Sequence, residues 1–174
     1  MAGHPEAAAR LREDDSAVLG GVRYSPHGSQ VQRPEGTQSP VLARIVAKAH
    51  ENRLRVSTHV ATATDFHHAV SAGVDEIAHL PSVGSPIAAA DAERAAQKKI
   101  VVDTTALNSV PSLIRSKVVT ETQVRETASA NFKLLLKAGV TLAIGSDNGN
   151  DTSIEEVEFL HSLNVIDNLR LLRM

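Results

Sequence analysis

A chain of 174 residues can bury one sizeable core but not two comfortable ones, so a single domain over residues 1–174 is expected. A formal charge of −2 with no block of like charge excludes the clustered basic face that nucleic acid or a membrane surface requires, and 2% aromatic content excludes a base-stacking platform. The absence of cysteine rules out disulfides, thiolate metal sites and a cysteine nucleophile; with no signal-peptide pattern and no apolar run of about 18 residues, a cytoplasmic protein without a membrane span is expected.

Residues 1–17 are polar and helical in character, and 25–40, rich in Gly, Pro, Ser and Gln, read as a loop. In SPVLARIVAKAHEN (39–52), Val41, Leu42, Ile45, Val46 and Ala49 recur at helical spacing, with Pro40 suited to the first turn. LRVSTHV (54–60) alternates as a strand, with Leu54, Val56, Thr58 and Val60 on one side and Ser57 and His59 on the other. TATDFHHAVSAG (62–73) is a short helix that Gly73 can close. VDEIAHL (74–80) is strand-like, SPIAAADAERAAQKK (85–99) helical, and IVVDTTAL (100–107) a β-branched run. A polar excursion over 108–123, expected to form part of a pocket wall, leads to a helix at 124–139, a strand at 140–147 and a helix at 153–163.

Strands alternating with helices at this spacing form βαβ units with a parallel sheet, an α/β fold. The strand VTLAIGSD (140–147) carries large residues, Val140, Leu142 and Ile144, on one face and small or polar ones, Thr141, Ala143, Gly145 and Asp147, on the other. Bulk outside and a crowded inside suit a closed barrel better than an open doubly wound sheet. In such barrels the working residues sit at the C-terminal ends of strands, and three strands here end in His59, His79 and Asp147. By alternation His59 and Asp147 point inward. Two imidazoles and a carboxylate converging at one mouth form an ordinary ligand set for a divalent, zinc-like ion, which would acidify a bound water to a pKa of about 7. Taken singly, each has a plainer explanation: a hydrogen-bonded core histidine, or an aspartate in the turn before Asn148 and Gly149.

Other histidines fill the set less well. His67 and His68 are neighbours on one helix and face different ways; His50 and His161 read as surface residues, His4 lies near a terminus, and His27 follows a candidate strand. GSDNG lacks the register of a nucleophile elbow, and DNGND (147–151) has Gly149 where a calcium loop needs Asp or Asn.

VSTHV, AGVDEIAHLP and AGVTLAIGSDNG, in that order, resemble the amidohydrolase superfamily, in particular its imidazolonepropionase-like and prolidase-like metal-dependent hydrolases. The resemblance covers roughly residues 18–165 and implies a partial (β/α)8 TIM-type barrel, about its fourth to eighth strands. It places His59 and His79 at the ends of the fifth and sixth strands and Asp147 at the end of the eighth. It implies hydrolysis of a carbon–nitrogen bond in an amide, cyclic amide or dipeptide-like small-molecule substrate. His59, His79 and Asp147 would be metal ligands, Asp147 also the proton carrier, and His79 either a ligand or a donor to the carbonyl. Zinc is the expected ion, with manganese or iron as alternatives. The sequence departs from the family in having no His-x-His pair, and Arg23 falls where a bridging lysine often stands. A guanidinium cannot be carboxylated. The alternative is a truncated, non-catalytic remnant, or a half-barrel completed by a second copy or another chain, since about five strands cannot close an eight-stranded barrel.

Overall fold

A computed structural model describes residues 23–25, 30–32, 39–106, 114–147 and 153–174. The helical segment expected at 1–17, His4, His27, the first half of the 108–123 excursion and the Asn148–Gly149 turn lie outside the described residues.

Two short strands, β1 (Arg23–Ser25) and β2 (Gln30–Gln32), pair antiparallel, with Arg23 opposite Gln32. The rest alternates: α1 (Ser39–Glu51), β3 (Ser57–His59), α2 (Ala63–Ala72), β4 (Glu76–Ala78), α3 (Ala89–Gln97), β5 (Val101–Asp103), α4 (Glu121–Ala138), β6 (Thr141–Ala143), α5 (Ile154–Ser162) and α6 (Asn168–Leu171). Strands β3 to β6 form one parallel sheet in sequential order. That order, with no reversal, is the winding of a barrel wall, whereas a doubly wound sheet reverses direction at a switch point. The stretch expected to supply a fourth parallel barrel strand, residues 20–29, instead contributes β1 to the antiparallel ribbon. In sequence, Pro26, His27, Gly28 and Ser29 lie between its two strands.

Register sorts the sheet into two faces. Thr58, Ile77, Val102 and Leu142 stand side by side and are buried. Ile77, Val102 and Leu142 join one core with Phe66, Ala69 and Val70 of α2, Ala92 and Ala95 of α3, and Phe132 and Leu135 of α4. Each large aliphatic or aromatic side chain removed from water here contributes about 1.5–3 kcal/mol, so this face is the one folding commits to the helices. On the opposite face the row His59, Ala78, Asp103, Ala143 stands beside the row Ser57, Glu76, Val101, Thr141. It is small, polar and mostly half-buried. This is the inner face of the curved sheet.

Local sequence fixes the element ends. Thr62 caps α2 reciprocally with Asp65, and Gly73 closes it at φ +78° with its N–H on the carbonyls of Ala69 and Val70. Helix α4 begins three residues before the expected 124, because Thr120 and Gln123 form the same reciprocal cap. The strands are shorter than their alternating patterns: only three residues of each share the ladder.

The connection from β4 to α3 is tied to α4. Buried Asn131 donates to the carbonyl of Pro81 at 2.6 Å and accepts the N–H of Ile87 at 2.8 Å. Thr127 donates to the carbonyl of Gly84 at 3.0 Å. The segment that follows the second candidate histidine is thereby held against the longest helix rather than left to solvent.

Candidate functional site

The structure brings His59, His79 and Asp147 together at the C-terminal rim of the parallel sheet. His59 is the last residue of β3. His79 lies one residue past β4 and Asp147 four past β6. The rings of His59 and His79 meet edge to face, with centroids 4.5 Å apart and planes at 75°. Nε2 of His79 lies 3.8 Å from Oδ2 of Asp147.

Strand alternation alone does not deliver His79 to this point. It is two residues beyond Ile77, which faces the helical core, so a continued strand would direct it there. Its backbone adopts φ +75°, in the left-handed region rare for a residue with a Cβ, and Asp147 does the same at φ +50°. Both departures occur at residues proposed from sequence to do chemistry, where such conformations are commonly concentrated. The chain just past His79 is secured by the Leu80 N–H, which donates to the carbonyl of Thr104 at 2.9 Å.

Residues after β5 complete the rim. Nδ1 of His79 hydrogen-bonds the hydroxyl of Thr105, which is buried. The Thr105 backbone N–H favours the charged form of the nearby Asp103 carboxylate. Asp103 stands in the same inner-face row as His59, and its Oδ1 is buried without a hydrogen-bond partner among the described residues. Gly145 lies against it: a Cβ there would sit 2.7 and 2.8 Å from the two Asp103 carboxylate oxygens and 2.9 Å from Cγ2 of Thr105. Across the rim, buried Glu156 of α5 accepts the Ala106 N–H at 3.0 Å.

The electrostatics follow from burial and from the number of carboxylates. Burial, reinforced by the neighbouring His59, lowers the pKa of His79 below 6.5 against the opposing pull of Asp147, so its imidazole is neutral at pH 7. Asp103 is pushed up to about 6, first by burial and then by the charges of Glu76, Glu156 and Asp147, with the Thr105 N–H working the other way.

Two imidazoles and a carboxylate are the donor types a divalent ion takes, and the free Oδ1 of Asp103 adds an anionic oxygen on the same face. The donor chemistry fits such an ion. In spacing, no group of three or more His, Asp or Glu among the described residues closes around one point as a ready-made metal site.

The model of the Amidohydrolase family matches residues 4–174. The chain belongs to the amidohydrolase family. No curated protein matches it in sequence. Among solved structures, the A. niger ochratoxinase superposes with a TM-score of 0.63 at 19% identity, over 95% of this chain and 39% of the ochratoxinase. A Xaa-Pro dipeptidase with methionine bound in its active site superposes at 0.58 with 20% identity, over 90% of this chain and 41% of that one. A prolidase complexed with N-methylphosphonate-L-proline gives 0.59 at 18%, over 96% and 43%. At these identities the likeness establishes the fold: the parallel sheet of this chain is part of a TIM-type barrel wall. The chain spans about two fifths of the length of these structures.

The other described histidines of the chain lie elsewhere. His67 Nδ1 is 3.0 Å from the buried carboxylate of Asp91, which Arg94 also engages, and this cluster joins α2 to α3. His67 and His68 have ring centroids 5.9 Å apart. His50 is exposed and meets Asp75 at 2.9 Å, and His161 is exposed. Sequence reasoning passed over Asp103, Thr105 and Glu156. Asp103 had a signal, since it shares parity with Val101 and therefore the inner face; nothing in the sequence alone marked Thr105 or Glu156.

Proposed function

We propose that this amidohydrolase chain carries the catalytic rim of a metal-dependent hydrolase acting on a carbon–nitrogen bond of an amide, cyclic amide or dipeptide-like small molecule. The single observation that supports the reading best is the meeting of two imidazoles and a carboxylate from three different strand exits at the C-terminal end of a parallel sheet. A divalent ion, when bound, supplies Lewis acidity and an activated water nucleophile. His59, His79 and Asp147 would hold it; zinc suits imidazole and carboxylate, and manganese and iron accept the same donors.

The protein's own groups account for the rest. The Asp147 carboxylate, half exposed at the rim, would accept a proton from the attacking water and pass it to the leaving nitrogen. His79, neutral at pH 7, can ligate through a free ring nitrogen or donate an N–H to the substrate carbonyl. Turnover of a panel of amides, cyclic amides and dipeptides tests the reading. Asp147→Asn should reduce turnover at least about 100-fold, the usual contribution of a positioned acid–base group, with the circular dichroism unchanged. Undiminished turnover removes Asp147 from the mechanism.

A second reading has its own support. The four-stranded sheet ends at β6, whose outer edge pairs with no strand among the described residues, and the donors fall short of a closed metal set there. Another chain, or a second copy, that adds strands at this edge would complete both the barrel and the site. Light scattering combined with elemental analysis separates the two: a monomer with stoichiometric metal supports the first reading, and a metal-bearing assembly the second.

A further inference from the structure

Thr105 lies two residues beyond β5 and is 4% exposed. It makes two contacts at once. Its hydroxyl bonds Nδ1 of His79, and its methyl packs where any side chain at position 145 would intrude. The residue before it, Thr104, accepts the Leu80 N–H. The exit of β5 therefore holds His79 twice, by the backbone just after it and by the ring.

The ring contact matters because an imidazole has two nitrogens and a soft Cβ–Cγ torsion. A half-turn about that bond exchanges which nitrogen faces the rim. The neighbouring His59 ring restricts His79 by shape but does not distinguish nitrogen from carbon. The Asp147 carboxylate, 3.8 Å from Nε2, is beyond hydrogen-bond distance. The hydroxyl is the contact that selects one ring orientation. We propose that Thr105 is the positioning residue of this rim: by bonding Nδ1 of His79 it commits Nε2 to the space shared with Asp147. The hydrogen bond made at one ring nitrogen sets which nitrogen carries the proton, so the contact that fixes the ring orientation also favours one neutral tautomer. The placement stands on geometry; its catalytic consequence rests on the hydrolase reading.

The test is nitrogen-15 NMR of the full chain labelled at histidine, free of metal under chelator at pH 7.5, with His79 assigned by its loss in His79→Gln. In the wild type one neutral tautomer of His79 predominates. In Thr105→Val, which keeps the shape and removes the hydroxyl, the two ring-nitrogen shifts converge as both tautomers become populated. Thr105→Ser restores the wild-type pair. Should Thr105→Val fail to fold, Thr105→Ala carries the same expectation. A wild-type ring that averages between tautomers, shifts unchanged in Thr105→Val, or Thr105→Ser behaving as Thr105→Val overturns the proposal. Where the wild type turns over a substrate, Thr105→Val lowers kcat/KM by about 10-fold or more, the usual effect of removing a partner that orients a working histidine. An inactive wild type counts against the hydrolase reading alone, because the NMR result is obtained without substrate or metal.

Discussion

Asp103 is a carboxylate held where a carboxylate is poorly stabilised, and replacing it with asparagine should make the protein more stable at neutral pH. Its pKa is raised from 3.8 to about 6 by burial and by three neighbouring acids. Below pH 3.8 folded and unfolded chains are both protonated at this position, so it contributes no difference. Between 3.8 and about 6 the folded state holds the proton more tightly, so stability falls as pH rises. Above about 6 the penalty is complete. At about 1.4 kcal/mol per pH unit the displacement corresponds to about 3 kcal/mol. Asp103 is only half-buried, and solvent screening reduces that figure to about 1–1.5 kcal/mol. Asp103→Asn keeps the shape and removes the charge. Thermal melts under chelator should place the variant about 2–6 °C above the wild type at pH 8, the scale expected for a chain of this size. The gap should close toward pH 4. Chelator is essential, since a bound cation would stabilise the Asp103 anion and mask the penalty. A variant no more stable than the wild type at pH 8, or a gap that persists unchanged at pH 4, would refute the account.

Two further outcomes probe the frame around the rim. Gly145→Ala places a Cβ inside 3.0 Å of three side-chain atoms, two of them on Asp103; it should cost about 1–3 kcal/mol in urea denaturation, the range for forcing a methyl into a packed site. The cost should shrink in an Asp103→Ala background, and a purely additive double mutant would show that the contact with Asp103 is not its source. Asn131→Ala leaves the Pro81 carbonyl and the Ile87 N–H without their partner inside the protein. It should destabilise by about 2–4 kcal/mol and speed amide exchange over residues 81–87, and a loss below about 1 kcal/mol would mean that water replaces the amide at no cost.

Much of the fold was legible because it depends on periodicity. Apolar spacing located α1, α2, α3 and α5, and the pattern of 54–60 separated Val56, Thr58 and Val60, all buried, from half-buried His59. What periodicity does not contain is the backbone conformation past a strand's last paired residue. His79 reaches the rim only through φ +75°, against its parity with Ile77, and no count of apolar positions shows that turn. The start of α4 was written in the sequence, as Thr120 and Gln123, but in capping chemistry rather than in hydrophobic spacing. The β1–β2 ribbon was missed for a related reason: a three-residue antiparallel pair has too few residues to show alternation, and turn-forming residues dominate the stretch.

The inner face explains why the rim is chemically poised and energetically costly at once. It puts Glu76 and Asp103 on the same face as His59, with Asp147 and Glu156 approaching from the rim and the His79 imidazole neutral at pH 7. In the four-stranded sheet this face is half-exposed, and water shares the burden of the carboxylates. Further strands closing the barrel would remove that water, and burial, already the largest cause of the Asp103 shift, would raise its pKa further. A closed barrel could therefore keep these carboxylates ionised at neutral pH only with positive charge supplied among them, because like charges left in a low-dielectric interior take up protons instead. If a cation binds here, barrel closure and its binding would be linked through the same carboxylates, each making the other more favourable, and the pH dependence of Asp103 is where that linkage would be read.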